Sequence, residues 1–146
     1  MNAAVLDVLP RPASARLLGW KMLGVDAETG EVSIGFDGKS EFCNPVGFVQ
    51  GGMLIAMMDD SMGPATFIHS GGTKMISSID IHAHFLRPVP VGEIVVKARV
   101  VRMGRQVAFM EAELFDAAGR LCARASSSAN VADYVPPPSK ATAAGG

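Results

Sequence analysis

The stretch from Asn44 to Ala65, NPVGFVQGGMLIAMMDDSMGPA, constrains this chain more than any other. It opens on an Asn-Pro turn, passes through Gly51-Gly52, and enters a methionine-rich segment carrying two adjacent aspartates, Asp59 and Asp60. Apolar residues at 53–58 and 62 leave no polar face before Asp59, which predicts a helix buried around most of its circumference. A carboxylate on such a helix is costly unless it is hydrogen-bonded or used chemically. The paired glycines stand where the helix begins, with free backbone N–H groups and the positive end of the helix dipole. Amide donors at one end and an acid further along are the components of an acyl-transfer site.

Spacing adds a second constraint. Gly51 and Asp59 are eight residues apart, roughly 12 Å along a helix rising about 1.5 Å per residue. A reacting carbonyl needs its oxyanion donor and its acid both about 3 Å away, so one helix cannot complete the site alone. Cooperation between the two requires a pair of antiparallel copies, which predicts an obligate two-fold dimer with two interfacial sites.

With Asn44, Gly47, Gly51, Gly52 and Asp59 in register, and Gly63-x-Ala65 at the helix end, the stretch resembles the hotdog-fold acyl-CoA thioesterases. The phenylacetate-pathway and hydroxybenzoyl-CoA thioesterases are the nearest subgroup. One position departs: Gln50 stands where that family carries a His. The resemblance runs from about Leu17 to Val131. It implies an α+β hotdog fold, one long central helix wrapped by a curved antiparallel sheet of five to six strands. It also implies hydrolysis of an acyl-CoA thioester, with coenzyme A as part of the substrate and no further cofactor, in a homodimer or homotetramer.

A chain of 146 residues is one domain with room for a real core. A net charge of −1 with 18% charged residues leaves no nucleic-acid footprint. The 49% apolar content suits a chain that buries extra surface in an oligomer. No apolar run reaches the length of about 18 that spans a bilayer. The N-terminus lacks a basic region before its apolar residues, and Cys43 and Cys122 form no paired motif, so the expected compartment is the cytoplasm.

Along the chain, residues 1–16 form an N-terminal segment with a short helix ending at Pro10, 17–135 the domain, and 136–146 a Pro- and Ala-rich tail with the composition of a disordered end. Residues 17–25 read as a first strand or a helix. The alternation of Val32, Ile34 and Phe36 predicts a half-buried strand, and 38–50 a loop leading into a helix over 51–68 that kinks or ends early at Pro64. Strands are then predicted over 78–85, where Ile79, Ile81, Ala83 and Phe85 share one face, and over 93–103, 106–115 and 121–131.

Each candidate has a plainer reading beside it. Asp59 is the general base or nucleophile implied by the resemblance, or a carboxylate paired structurally in the core. Asp60, about 100° around the helix, faces the sheet end or solvent, or pairs with a base. The Gly51 amide, helped by Gly52, polarises the thioester carbonyl; the glycines also permit close helix packing. Gln50 can donate a hydrogen bond but cannot change charge near neutral pH, so it orients or polarises and is no general acid. Asn44 bonds water or loop backbone. Ser78, with Ser77 one register away, presents a hydroxyl to the nucleophilic water. Arg102 and Arg105 contact coenzyme A phosphates or are solvated turn residues. The polar run Ser126 to Asn130 lines the same groove, and the methionines an adaptable acyl pocket. His82 and His84 share a strand face, yet no third ligand is spaced with them, and no metal is expected. Two further activities fit the fold: acyl-CoA binding without hydrolysis, which Gln50 permits, and hydration or dehydration of an enoyl or hydroxyacyl thioester. A purely structural dimerisation module is the reading without a ligand.

Overall fold

A computed structural model of the chain describes residues 2–138. Met1 and the end of the predicted tail, 139–146, lie outside the described residues. The order of elements is a 3-10 helix Ala3–Val8, α1 Ala13–Leu18, β1 Lys21–Val25, β2 Val32–Gly38, a 3-10 turn Ser40–Phe42, α2 Gly51–His69, β3 Lys74–Phe85, β4 Gly92–Met103, β5 Val107–Phe115 and β6 Leu121–Asp133. The six strands form one antiparallel sheet in the order β1-β2-β4-β5-β6-β3, which leaves β1 and β3 at its two edges. The sheet packs around α2, and this is the hotdog fold.

The core follows from the alternation in the strands. Val32, Ile34 and Phe36 of β2, Ile94, Val96 and Ala98 of β4, and Met110, Ala112 and Leu114 of β5 turn inward and are buried. Side chains of that size each contribute about 1.5–3 kcal/mol when fully buried, and much less where the residue is Ala. The small residues have a different use. Ala98, Ala112, Ala123, Ala125 and Ala129 are all buried on the inner face, where short side chains let a helix approach a sheet closely.

Helix α2 buries Leu54, Met57, Met58, Ser61, Met62, Ala65, Thr66, Phe67 and Ile68. Its two buried hydroxyls are satisfied within the helix: Ser61 Oγ donates to the Met57 carbonyl at 2.8 Å and Thr66 Oγ1 to the Met62 carbonyl at 2.9 Å. Met57, Met58 and Met62 have no exposed surface, so these three of the methionines are core residues. What stays open is a narrow stripe through Gly52, Ala56, Asp59 and Gly63, spaced by three or four residues.

Helix α2 also continues through Pro64 to His69, with no early end. A proline at 64 has no N–H for the carbonyl of Asp60, four residues earlier. The indole Nε1 of Trp20 donates to that carbonyl instead, at 3.4 Å. The rung that Pro64 removes is thus replaced from outside the helix.

The N-terminal region differs from the sequence reading. The segment before Pro10 is a 3-10 helix, and 17–25 divides between the end of α1 and β1, separated by Gly19 at φ +72°. Strand β3 starts at Lys74, four residues early, and its register shifts between Ser78 and Asp80. Such a bulge re-phases the strand. Ile81 and Ala83 therefore pack on the core while Ile79 remains 55% exposed; Phe85, at the strand's end, is 51% exposed with its ring over Gly51. No helix among the described residues is long and apolar enough to cross a membrane.

Candidate active site

The site is organised by the loop before α2. Asn44 holds its turn together: its Oδ1 accepts from the N–H groups of Val46 and Phe48, both at 3.1 Å, and its own N–H donates to the Phe48 carbonyl at 2.7 Å. Its side-chain oxygen is thereby committed to loop backbone. The loop is fixed to the body by Val49 N–H on the Val89 carbonyl and Gln50 N–H on the Phe42 carbonyl. Gln50 is the N-cap of α2, but its side chain makes no capping hydrogen bond and is exposed. Among the described residues no protein acceptor meets the N–H of Gly51 or Gly52. Two amides at the positive end of a nineteen-residue helix are therefore available to an oxyanion.

Gly51 has a steric reason as well. A Cβ there would lie 3.0 Å from Phe85 Cζ and 3.3–3.4 Å from its neighbouring ring atoms. The Phe85 ring covers the first turn, and only glycine fits beneath it without moving that ring.

Asp59 lies two turns into α2 on the open stripe and is exposed. Ser78 of β3 donates its hydroxyl to Asp59 Oδ1 at 2.8 Å. Of the two candidate serines it is Ser78 that reaches Asp59; Ser77, whose neighbour across the sheet is Asn130, makes no side-chain hydrogen bond among the described residues. A carboxylate held by one hydroxyl through one oxygen keeps its other oxygen free to take a proton from water or to attack. Asp59 and Ser78 are brought together, whereas the Gly51 amide stands two turns away along the same helix.

Asp60 departs from the sequence reading. It is half-buried with no basic partner, and its Oδ2 is enclosed without a hydrogen bond among the described residues. Burial, and secondarily the charge of Asp59, push its carboxyl up to about 6. The sequence carried one clue, Pro64 four residues on, but nothing in it placed Trp20 nearby.

Arg102 and Arg105 are exposed at the β4–β5 turn. Pairing runs from Ser78 to Ala129, from Ala129 to Ala108 and from Ala108 to Met103. The turn is thus level with Ser78 but three strands away, about 14 Å at a strand spacing near 4.8 Å. The polar run in β6 does not line one groove: Ser127 is buried, while Ser126 lies beside His82 and His84 on the outer face. Those histidines meet each other, Nε2 to Nε2 at 3.3 Å. Asp80 is held by the Ser128 N–H and hydroxyl, which keep its carboxyl below the ordinary range. Among the described residues no three metal-ligating side chains converge.

The comparisons with known proteins say which class this hotdog domain belongs to. The thioesterase superfamily model matches residues 46–123. Human acyl-coenzyme A thioesterase 13 is 30% identical over 111 residues, which cover 75% of this chain and 78% of that protein. A phenylacetic acid degradation-related protein from Ralstonia eutropha JMP134 is 34% identical, with a TM-score of 0.78 over 88% of this chain and 99% of that one. A provisionally named esterase of Thermoplasma acidophilum is 25% identical over 79 residues, and there the chain spans 60% of the relative's length. The chain belongs to the thioesterase superfamily, and by family it is a thioester hydrolase.

Proposed function

We propose that the protein hydrolyses acyl-CoA thioesters to the free acid and coenzyme A, in a two-fold assembly that completes each site. The observation that carries this reading is the Asp59–Ser78 hydrogen bond on the exposed stripe of α2. Asp59 activates water as general base, or attacks the thioester carbon to give an anhydride that water then opens. Ser78 orients the carboxylate. The Gly51 N–H of the second copy, with Gly52 and Gln50 beside it, stabilises the oxyanion. The thiolate of coenzyme A leaves, with Arg102 and Arg105 as candidate contacts for its phosphates.

The assembly has physical support. β3 is a twelve-residue edge strand, and long unprotected edges are templates for pairing with another chain. Met75, Ile79 and Phe85 on it are 37%, 55% and 51% exposed. Pairing two β3 edges antiparallel would bring the two α2 helices alongside each other, the arrangement that the Gly51–Asp59 separation demands.

The test is release of free thiol from a panel of aryl and aliphatic acyl-CoAs, wild type beside Asp59→Ala. Hydrolysis that falls about 10² or more in the variant supports the reading, that being the scale of one acid–base group. Unchanged turnover in the variant would remove Asp59 from the mechanism. Tight acyl-CoA binding without turnover would make this a binding protein.

A further inference from the structure

The outer face of β3 carries two imidazoles that the proposed hydrolysis does not use. His82 and His84 are both exposed, with their Nε2 atoms 3.3 Å apart and their ring centres 4.8 Å apart. Two nitrogens that bind one tetrahedral ion at about 2.0–2.1 Å stand about 3.3–3.4 Å from each other. The pair therefore already has the bite of a chelate. Neutral imidazole suits zinc, nickel and copper(II) rather than magnesium or calcium. Among the described residues one chain supplies no third ligand. Across the sheet the row runs from His82 to Ser126 and then to Glu111, two strands and about 10 Å away. Glu111 is in any case bonded to Arg99 at 2.7 Å.

A two-fold assembly supplies the missing ligand. Asp59 is bonded to Ser78, and the Phe85 ring lies over Gly51. If Asp59 of one copy meets Gly51 of the other, Ser78 of one β3 lies toward Phe85 of the other. The two-fold axis then crosses each β3 midway between those positions, at Ile81–His82. Opposed residues of an antiparallel pair share a face. Asp80, His82 and His84 face outward, since Ile81 and Ala83 between them pack on the core. An axis beside His82 sets it opposite either His82 or Asp80 of the second copy, with Cβ atoms about 4.5–5.5 Å apart. Either is a metal ligand. Asp80 is held by Ser128 through Oδ1, and its Oδ2 accepts no hydrogen bond among the described residues.

We propose that His82 and His84 form half of a site for a divalent transition-metal ion of the zinc type, which a second copy completes across the paired β3 strands. The inference rests on the two-fold assembly and on the Asp59–Gly51 contact proposed for it. The expectation of no metal counted ligands along one chain, and the two-fold doubles that count. The ion lies on the outer face of the sheet, whereas Asp59 and Gly51 belong to α2 against the inner face. Its role is therefore to tie the two copies together, and hydrolysis does not pass through it. An ion held by ligands from both chains favours the paired state, so zinc binding and pairing strengthen each other by the same factor.

The experiment uses the full chain without an affinity tag, titrated with Zn²⁺ against a chromophoric chelator and run in sedimentation velocity with and without the ion. Wild type is compared with His82→Ala, His84→Ala and Ile79→Lys, each checked for native circular dichroism. Expected is a Zn²⁺ affinity that falls about tenfold or more in each histidine variant, while both variants keep the thiol release of wild type in metal-free buffer. Ile79→Lys, which retains both histidines but is altered at the pairing edge, should sediment as a single chain and bind Zn²⁺ as weakly as they do. Affinity unchanged in either histidine variant overturns the inference. So does a single-chain Ile79→Lys that binds as tightly as wild type, because the site would then need no second copy. A wild type that sediments as a pair yet takes up no Zn²⁺ defeats the metal site alone. A wild type that stays a single chain with and without Zn²⁺ defeats the two-fold reading together with it.

Discussion

Replacing Asp60 by Asn should stabilise the protein above pH 6 and change it little below pH 4. The folded carboxyl titrates near 6 instead of the ordinary 3.8, first through burial and then through Asp59. Below about pH 4 the folded and unfolded chains both carry the proton. Between 4 and 6 the folded chain keeps a proton that the unfolded chain releases, so stability falls as pH rises through this window. Above 6 the full cost is present. The displacement corresponds to roughly 3 kcal/mol at about 1.36 kcal/mol per tenfold change in proton affinity. Asp60 is only half-buried, and solvent screening reduces this to about 1.5 kcal/mol. Asn keeps the shape and removes the titration. Urea unfolding of both proteins at pH 4, 5, 6 and 8, at one protein concentration because self-association enters apparent stability, should show the variant's advantage growing across the window. For a chain of this size, 1.5 kcal/mol is about 3–6 °C in Tm. A difference between the two proteins that is the same at every pH would refute the argument, because it would mean that Asp60 titrates alike in the folded and unfolded states.

Other consequences can be checked more briefly. Ser78→Ala should lower kcat about tenfold in the thiol-release assay with little change in Tm, since the hydroxyl serves an exposed carboxylate. Gly51→Ala should also reduce activity about tenfold while shifting stability by less than about 1 kcal/mol, because Phe85, the group its Cβ would meet, is half-exposed and can tilt away. Ile79→Lys should yield a smaller species in sedimentation velocity and lose hydrolysis with it. A variant that becomes monomeric yet retains activity would refute completion of the site across two copies.

Much of the fold was written in periodicity. The runs beginning at Val32, Glu93, Gln106 and Leu121 are strands because alternation of inward and outward side chains is a local property. The helix from Gly51 was equally plain, since an unbroken apolar run after two glycines has few other uses. The misplacements have physical causes. Pro64 did not end α2 because Trp20, distant in sequence, meets the carbonyl that proline leaves open. Ile79 looked like a core residue because a bulge cannot be read from alternation alone. Short elements such as Ala3–Val8 and Ala13–Leu18 are held by docking more than by propensity, so the sequence around them is nearly silent.

The same division runs through the site. Gly51 and Asp59 are placed by spacing on one helix, whereas which serine meets Asp59 depends on how β3 lies against α2. Asp60 was misjudged because nothing local distinguishes a solvated aspartate from one under a lid of residues forty positions away.

The bond from Trp20 to the Asp60 carbonyl also has a consequence for dynamics. A helix with a missing rung at its midpoint would exchange amide protons there more readily than at its well-bonded flanks. Here the replacement donor belongs to a segment that lies outside the sheet's central strands. Loss of that indole contact should therefore loosen the helix around Asp60. Anything that peels residues 2–20 from the surface should accelerate exchange around residues 60–64, on the turn that follows Asp59.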